Sequence, residues 1–203
     1  MSRAVVLDDF RDPSGWMPIA SGLATLRLVP ARGPAGTALA LDFDFKGGGG
    51  FVVARKLFAR SMPDSWTITF AISGEAPANQ LELKLVDASG RNVWRRLWDA
   101  FPVPGEWQTL TVRSQEVEFA WGPAGGGALH ELGAIEIALA AGPGGAGTVR
   151  SADLHLEDRT YRGTPTVRAS SVLEGHRPEN ALDGDPATAW RSAAAPGAHR
   201  LEV

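Results

Sequence analysis

The sequence predicts an all-β protein, an antiparallel β-sandwich of the jelly-roll type, and three observations carry that prediction. Short apolar runs alternate with polar residues at a period of two. The 24 glycines and 14 prolines are spread as punctuation between those runs. No run repeats its apolar residues at helical spacing.

In chain order, residues 5–10 and 24–29 read as the opening strands. Residues 39–45 give the clearest strand, with Leu39, Leu41, Phe43 and Phe45 on one face and Asp42 and Asp44 on the other. Residues 51–58 follow, then 66–72, where Trp66, Ile68, Phe70 and Ile72 are in phase and point to the core. Residues 81–85 alternate Leu81, Leu83 and Leu85 with Glu82 and Lys84. Asp87-Ala-Ser-Gly90 then reads as a hairpin turn in which the glycine takes a positive φ. Strands are expected over 92–97, 107–112, 117–121, 134–139 and 147–157, with one helical turn at residues 130–132. The glycine links 47–50, 122–127 and 142–145 have strands on both sides, so a phosphate cradle at a helix N-terminus is not expected. About ten short strands with alternating faces imply two packed antiparallel sheets.

Composition narrows the function classes. At 203 residues the chain has room for one domain and part of a second. A net charge of -3 gives no basic field, so neither nucleic acid nor a membrane surface is an expected partner. There is no cysteine, hence no disulfide, zinc–thiolate site or thiol nucleophile. No run of about 18 apolar residues exists to span a bilayer. The four histidines are scattered, and neither a His-Glu-x-x-His nor a Gly-x-Ser-x-Gly pattern is present, so an enzyme is not expected. The start shows no export signal, which leaves a cytoplasmic protein or a signal outside this sequence. A boundary falls near residues 160–165, giving a domain over 1–160 and a segment 161–203 too short to fold alone without metal or disulfide support. The C-terminal end reads as a cut within a strand.

The tail residues Ala169-Ser-Ser, Pro178-Glu-Asn-Ala-Leu-Asp-Gly184 and Thr188-Ala-Trp190 resemble the opening of a discoidin (coagulation factor 5/8 type C) domain. They cover about its first third. Residues 1–160 are similar to a jelly-roll carbohydrate-binding module of the galactose-binding-like superfamily. That similarity rests on Val6-Leu-Asp-Asp-Phe10 with Trp16, on residues 36–45 and on the last strand, 149–157. It implies non-catalytic binding of a glycan or polysaccharide, an adjacent glycosidase domain in the same chain, and an extracellular or periplasmic location.

Sugar recognition needs aromatic faces for the C–H side of a pyranose and polar side chains for its hydroxyls. Trp94, Arg96 and Trp98 lie in an interleaved run facing Glu82 and Lys84 across the hairpin. A one-residue slip in register exchanges the two faces, so Trp94 is either a platform or part of the core. Trp107 and Trp121 sit at strand ends, where a loop contact and a ligand contact are equal readings. Arg55 and Lys56 interrupt an apolar run, and Glu136 protrudes between Ile135 and Ile137. Together they form either a polar cleft or a structural ion pair. The superfamily resemblance implies a structural calcium ion tying the first and last strands, with Asp8, Asp9, Asp12 and Asp153 as candidate ligands. In the tail, Asp183, Asp185 and Thr188 match the calcium loop of discoidin-type modules, without the carboxylate that completes it. Two other roles compete with sugar binding. One is an assembly module like the complex I intermediate-associated proteins, suggested by the similar Leu7-Asp-Asp-Phe10 opening. The other is a spacer packed on a glycosidase domain.

Overall fold

Alternation of side chains along each strand sorts residues 4–160 into a buried layer between two sheets and two outer faces. The computed structural model describes residues 4–162, 166–182, 187–194 and 196–202. The chain divides into two units, Met1–Thr160 and Tyr161–Val203.

In the first unit the chain runs through β1 (Ala4–Asp8), β2 (Trp16–Ala20), β3 (Thr25–Arg32), β4 (Thr37–Asp44), β5 (Phe51–Ser61) and β6 (Trp66–Glu75). It continues through β7 (Gln80–Asp87), β8 (Val93–Trp98), β9 (Gln108–Arg113), β10 (Glu118–Trp121), β11 (Glu131–Ala140) and β12 (Ala146–Asp158). The first sheet has the order β3-β4-β12-β6-β9, with β1 also paired to β12. The second has the order β10-β8-β7-β11-β5-β2. Every pairing is antiparallel, and the architecture is a jelly-roll β-sandwich.

The core between the sheets is one large cluster, with two small buried clusters apart from it. Leu39, Leu41, Phe43 and Phe45 from β4 and the segment after it meet Ile68, Phe70 and Ile72 of β6 on one side. Leu81, Leu83 and Leu85 of β7 and Ile135, Ile137 and Leu139 of β11 close it from the other. The 13-residue β12 is the central strand of the first sheet. One edge pairs β6; the other pairs β4 over residues 146–151 and β1 over residues 154–157. The change of neighbour coincides with a bulge between Ala152 and His155, where Asp153 takes φ 53°.

Two local devices fix the chain around this sandwich. At the end of β1, Asp8 is 6% exposed and fully engaged. Its Oδ1 accepts the Phe10 N–H at 2.7 Å; its Oδ2 accepts Trp16 Nε1 at 2.7 Å and Lys56 Nζ at 2.6 Å. The Trp16 ring stacks on Phe10 with centroids 5.3 Å apart. The second device is the β7–β8 turn. Asp87 accepts from Ser89 Oγ, from the N–H groups of Arg91 and Asn92, and from Asn92 Nδ2 at 2.6 Å. Asn92 Oδ1 in turn accepts the Ala124 N–H at 2.8 Å. Beside it Gly122 has φ 134°, and an added Cβ would lie 2.5 Å from Arg91 O, so only glycine lets the β10 exit approach this turn.

Burial alone would raise the Asp87 pKa. Hydrogen bonds from Asn92 and Ser89 and from the Asn92 and Arg91 backbone outweigh it and hold the carboxyl down to about 2, from 3.8. A folded-state value below the unfolded one contributes stability above pH 3.8 that is lost as pH falls through about 2. Asp87→Ala is expected to lower stability by about 1–2 kcal/mol at neutral pH. It also removes the pH dependence of that contribution. Denaturant titrations of both proteins at neutral and acid pH check this, and a difference that does not shrink in acid contradicts it.

Two sequence expectations are corrected. Residues 130–132 are not a helical turn, because β11 begins at Glu131 and pairs with Ser61 of β5. Single-turn 3-10 helices occur instead at Pro13–Gly15 and Ser114–Glu116. The strand β2 is additional to the expected strands, and its Pro18 is tolerated because β2 is an edge strand.

In the second unit, β13 (Arg168–Ala169) pairs with β14 (Leu201–Glu202), and a 3-10 turn spans Pro178–Ala181. Ser171 is its hub: its carbonyl accepts Trp190 Nε1 at 3.2 Å, and its Oγ lies 2.7 Å from His199 Nδ1.

Candidate functional site

The strand register of the second sheet assembles a row of charge on its outer face. Leu81, Leu83 and Leu85 turn inward, so Glu82, Lys84 and Val86 turn outward. Lys84 stands opposite Arg95 on one side and Glu136 on the other. Arg95 then faces Glu118, Glu136 faces Arg55, and Arg55 faces Met17. One cross-strand line therefore reads Glu118, Arg95, Lys84, Glu136, Arg55, Met17 from edge to edge. Beside it run Leu97, Glu82, Ala138, Val53 and Ile19.

These charges are largely buried and paired, as low-dielectric burial demands. Arg55 Nη1 bonds Glu136 Oε1 at 3.0 Å. Glu82 Oε2 receives Arg95 Nη1 at 3.3 Å and Lys84 Nζ at 3.7 Å, and Arg95 Nε reaches Glu118 at 3.2 Å. Two rings complete the arrangement. Lys84 Nζ lies 5.3 Å from the Trp121 ring centroid and 5.8 Å from that of Phe51, within cation–π range. Trp121 belongs to the β10 side of Lys84 and Phe51 to the β5 side, so the rings bracket it from opposite directions. They are 48% and 42% exposed, whereas Lys84 is 9% exposed. The face thus presents two open aromatic surfaces around a fixed set of hydrogen-bonding groups.

Of the binding candidates, Glu82, Lys84, Arg55 and Glu136 come together here. Trp94, Arg96 and Trp98 do not, and this is a correction. They stand opposite the inward residues Leu85, Leu83 and Leu81. Trp94 is 6% exposed, packs edge-on against Phe119 and donates Nε1 to Gly127 O at 2.8 Å. Trp98 contacts Phe101, and the Arg96 guanidinium lies 5.4 Å from the Trp98 ring. Lys56 is also on the inner side, bound to Asp8. Trp121, left open between a loop contact and a ligand contact, lies on this face, and the residues that sequence reasoning missed are Phe51, Arg95 and Glu118. In the run 117–121 Trp121 has the phase of Phe119, which is inward; the register shift between them turns Trp121 outward. Phe51 carried a usable signal, since it is in phase with Arg55.

The four calcium candidates of the first unit do not assemble. β1 and β12 are neighbours, as expected, yet Asp8 is consumed by Phe10, Trp16 and Lys56. Asp9 pairs with Arg11 at 3.2 Å, and Asp12 caps the following turn through Ser14 N at 2.9 Å. The Ser14 hydrogen bonds hold the Asp12 carboxyl below its usual range. Asp153 remains at the β12 bulge. Among the described residues no three His, Asp or Glu side chains are grouped to hold a metal ion. Asp183 and Asp185 lie outside the described residues.

A scan against protein-family models and a sequence search of curated proteins give no match. Solved structures do match. The chain is similar to the family 11 carbohydrate-binding module of a cellulosomal cellulase of Clostridium thermocellum, with a TM-score of 0.60 and 16% identity over 80% of this chain and 99% of the other. A structure of that module with a β-1,3-1,4-mixed-linked tetrasaccharide matches with a TM-score of 0.59 and 17% identity, covering 75% and 94%. An exo-β-agarase matches at 0.54 and 16% identity, over 77% of this chain and 26% of the enzyme. At these identities the shared feature is the sandwich.

Proposed function

We propose that residues 1–160 form a non-catalytic carbohydrate-binding module whose site is the outer face of the second sheet. The carrying observation is the pair of half-exposed rings, Trp121 and Phe51, set around the paired charges of Glu82, Lys84, Arg95, Glu136 and Arg55. Sugar rings lie with their C–H faces on such aromatic surfaces while fixed polar groups bond their hydroxyls. The groups are held by one another before ligand arrives, so little ordering opposes binding. With Glu118, three carboxylates are matched with three cations, which suits a neutral glycan. The fold of sugar-binding modules, including one solved with a mixed-linked β-glucan fragment, supports this reading. It also favours an extracellular role beside a glycosidase. We read residues 161–203 as the opening of a discoidin-type sandwich.

Isothermal titration of the full chain with mixed-linked β-glucan, cello- and agaro-oligosaccharides tests the proposal. Saturable binding of at least one, at micromolar to millimolar concentration, is expected; no binding to any of them overturns it. A second reading, a protein-docking surface, is favoured by one observation: Met17, Ile19 and Leu57 are exposed on this same face.

A further inference from the structure

The outer face of the second sheet is not uniform, and its β5–β2 end carries a chemistry that the charged line does not explain. Met17 stands across from Arg55, and Ile19 across from Val53. Leu57 is the next outward residue along β5 after Arg55. Leu57 is 60% exposed, and Met17 and Ile19 are about as open as Phe51. Three open aliphatic side chains thus lie around one guanidinium. Arg55 Nη1 is bound to Glu136 at 3.0 Å, and the guanidinium, 26% exposed as a side chain, has further N–H donors and no acceptor. The acceptors beside it are withdrawn. Side-chain exposure is 11% for Glu136 and 8% for Glu82, and the open carboxylate of the line, Glu118, lies on β10 at the opposite edge. This end of the face therefore offers apolar surface next to groups that only donate.

We infer that the β5–β2 end binds an acyl substituent, so that the sheet selects a neutral acylated glycan. An acyl group joins an apolar methyl to a carbonyl oxygen that only accepts. The methyl finds aliphatic contact on Leu57 and Met17, and the oxygen an N–H of Arg55. A free hydroxyl in the same place has a hydrogen to donate and no open side-chain acceptor to take it, which weakens binding. A uronic acid is acceptor-only as well, but Arg55 is already neutralised by Glu136, and a second anion would face that carboxylate. Three side chains also fall far short of the roughly 20–30 residues that each side of a stable protein interface takes. The inference rests on the carbohydrate reading above and specifies what that site selects.

The test titrates the full chain with O-acetylated xylo- and manno-oligosaccharides and with the same samples after alkaline removal of the esters. Chito- and cello-oligosaccharides of equal length form a second matched pair. At least one acylated member is expected to bind at least tenfold tighter than its unacylated counterpart. In the double variant Met17→Ser, Leu57→Ser that ratio should fall below threefold. Both side chains are exposed and outside the core cluster, so a thermal melt should show the fold kept. Equal binding of acylated and unacylated chains overturns the inference and leaves the carbohydrate site standing. A preference that the double variant retains overturns the placement at Leu57 and Met17. Tighter binding of glucuronic-acid-bearing than of acetylated xylo-oligosaccharides overturns it in favour of an anionic ligand. Binding of no oligosaccharide overturns it together with the carbohydrate reading, and self-association in sedimentation that the double variant abolishes would then assign the patch to a protein contact.

Discussion

Replacing Trp121 by alanine is expected to lower glycan affinity at least tenfold, and adding Phe51→Ala to reduce binding below detection, with the thermal midpoint nearly unchanged. Both rings are about half exposed and neither belongs to the core cluster, so their removal leaves the interior filled. Their worth lies in contact with ligand. An aromatic contact contributes about 0.5–1.5 kcal/mol beyond the area it buries. Added to the lost burial, this exceeds the ~1.4 kcal/mol that corresponds to a factor of ten. Titration calorimetry reads the affinity and a thermal melt reads the fold. Unchanged affinity in the double variant moves the principal site off this sheet. By contrast, Trp94→Ala should unfold the protein partially or wholly, because that indole is core.

Asp8→Ala is expected to be among the most destabilising single substitutions outside the apolar core, at about 3 kcal/mol. It leaves the Lys56 ammonium, the Trp16 indole N–H and the Phe10 backbone N–H without their shared acceptor. For a chain of this length ~2–4 °C is lost per kcal/mol, so the midpoint should fall by roughly 6–12 °C. Lys56→Met in the Asp8→Ala background removes the stranded cation and should restore part of the loss. Equal midpoints for Asp8→Ala and the wild type contradict this role. A protein that gains stability with added calcium, and loses that gain in Asp8→Ala, contradicts the assignment of Asp8 to hydrogen bonding alone.

Period-two alternation made the strands legible because one buried face per strand forces it. Residues 39–45 and 81–85 show this directly, their leucines and phenylalanines now the middle of the core. The pairing of Arg55 with Glu136 was legible for the same reason, since a cation inside an apolar run needs a nearby anion. What stayed hidden depended on register. Whether Trp94 or Arg95 faces out is decided by how β7 and β8 slide past each other, and alternation alone fits both choices. Trp121 was harder still, because a bulge between it and Phe119 inverts its phase without leaving any mark on composition. Asp8 beside Asp9 and Asp12 looked like an ion-binding cluster. Only the fold shows that Lys56, 48 positions later, already satisfies it.

The central place of β12 has a consequence for biosynthesis. Strands β1 and β4, within the first 44 residues, take their partners from residues 146–158, so most of the intervening chain must leave the ribosome before that sheet can close. Until then the edge of β4 that β12 will cover has no partner, a condition that exposes a nascent chain to intermolecular pairing. Such distant pairing also places this sandwich among slow-folding topologies, with closure of the loop from β4 to β12 as the late, entropically expensive event.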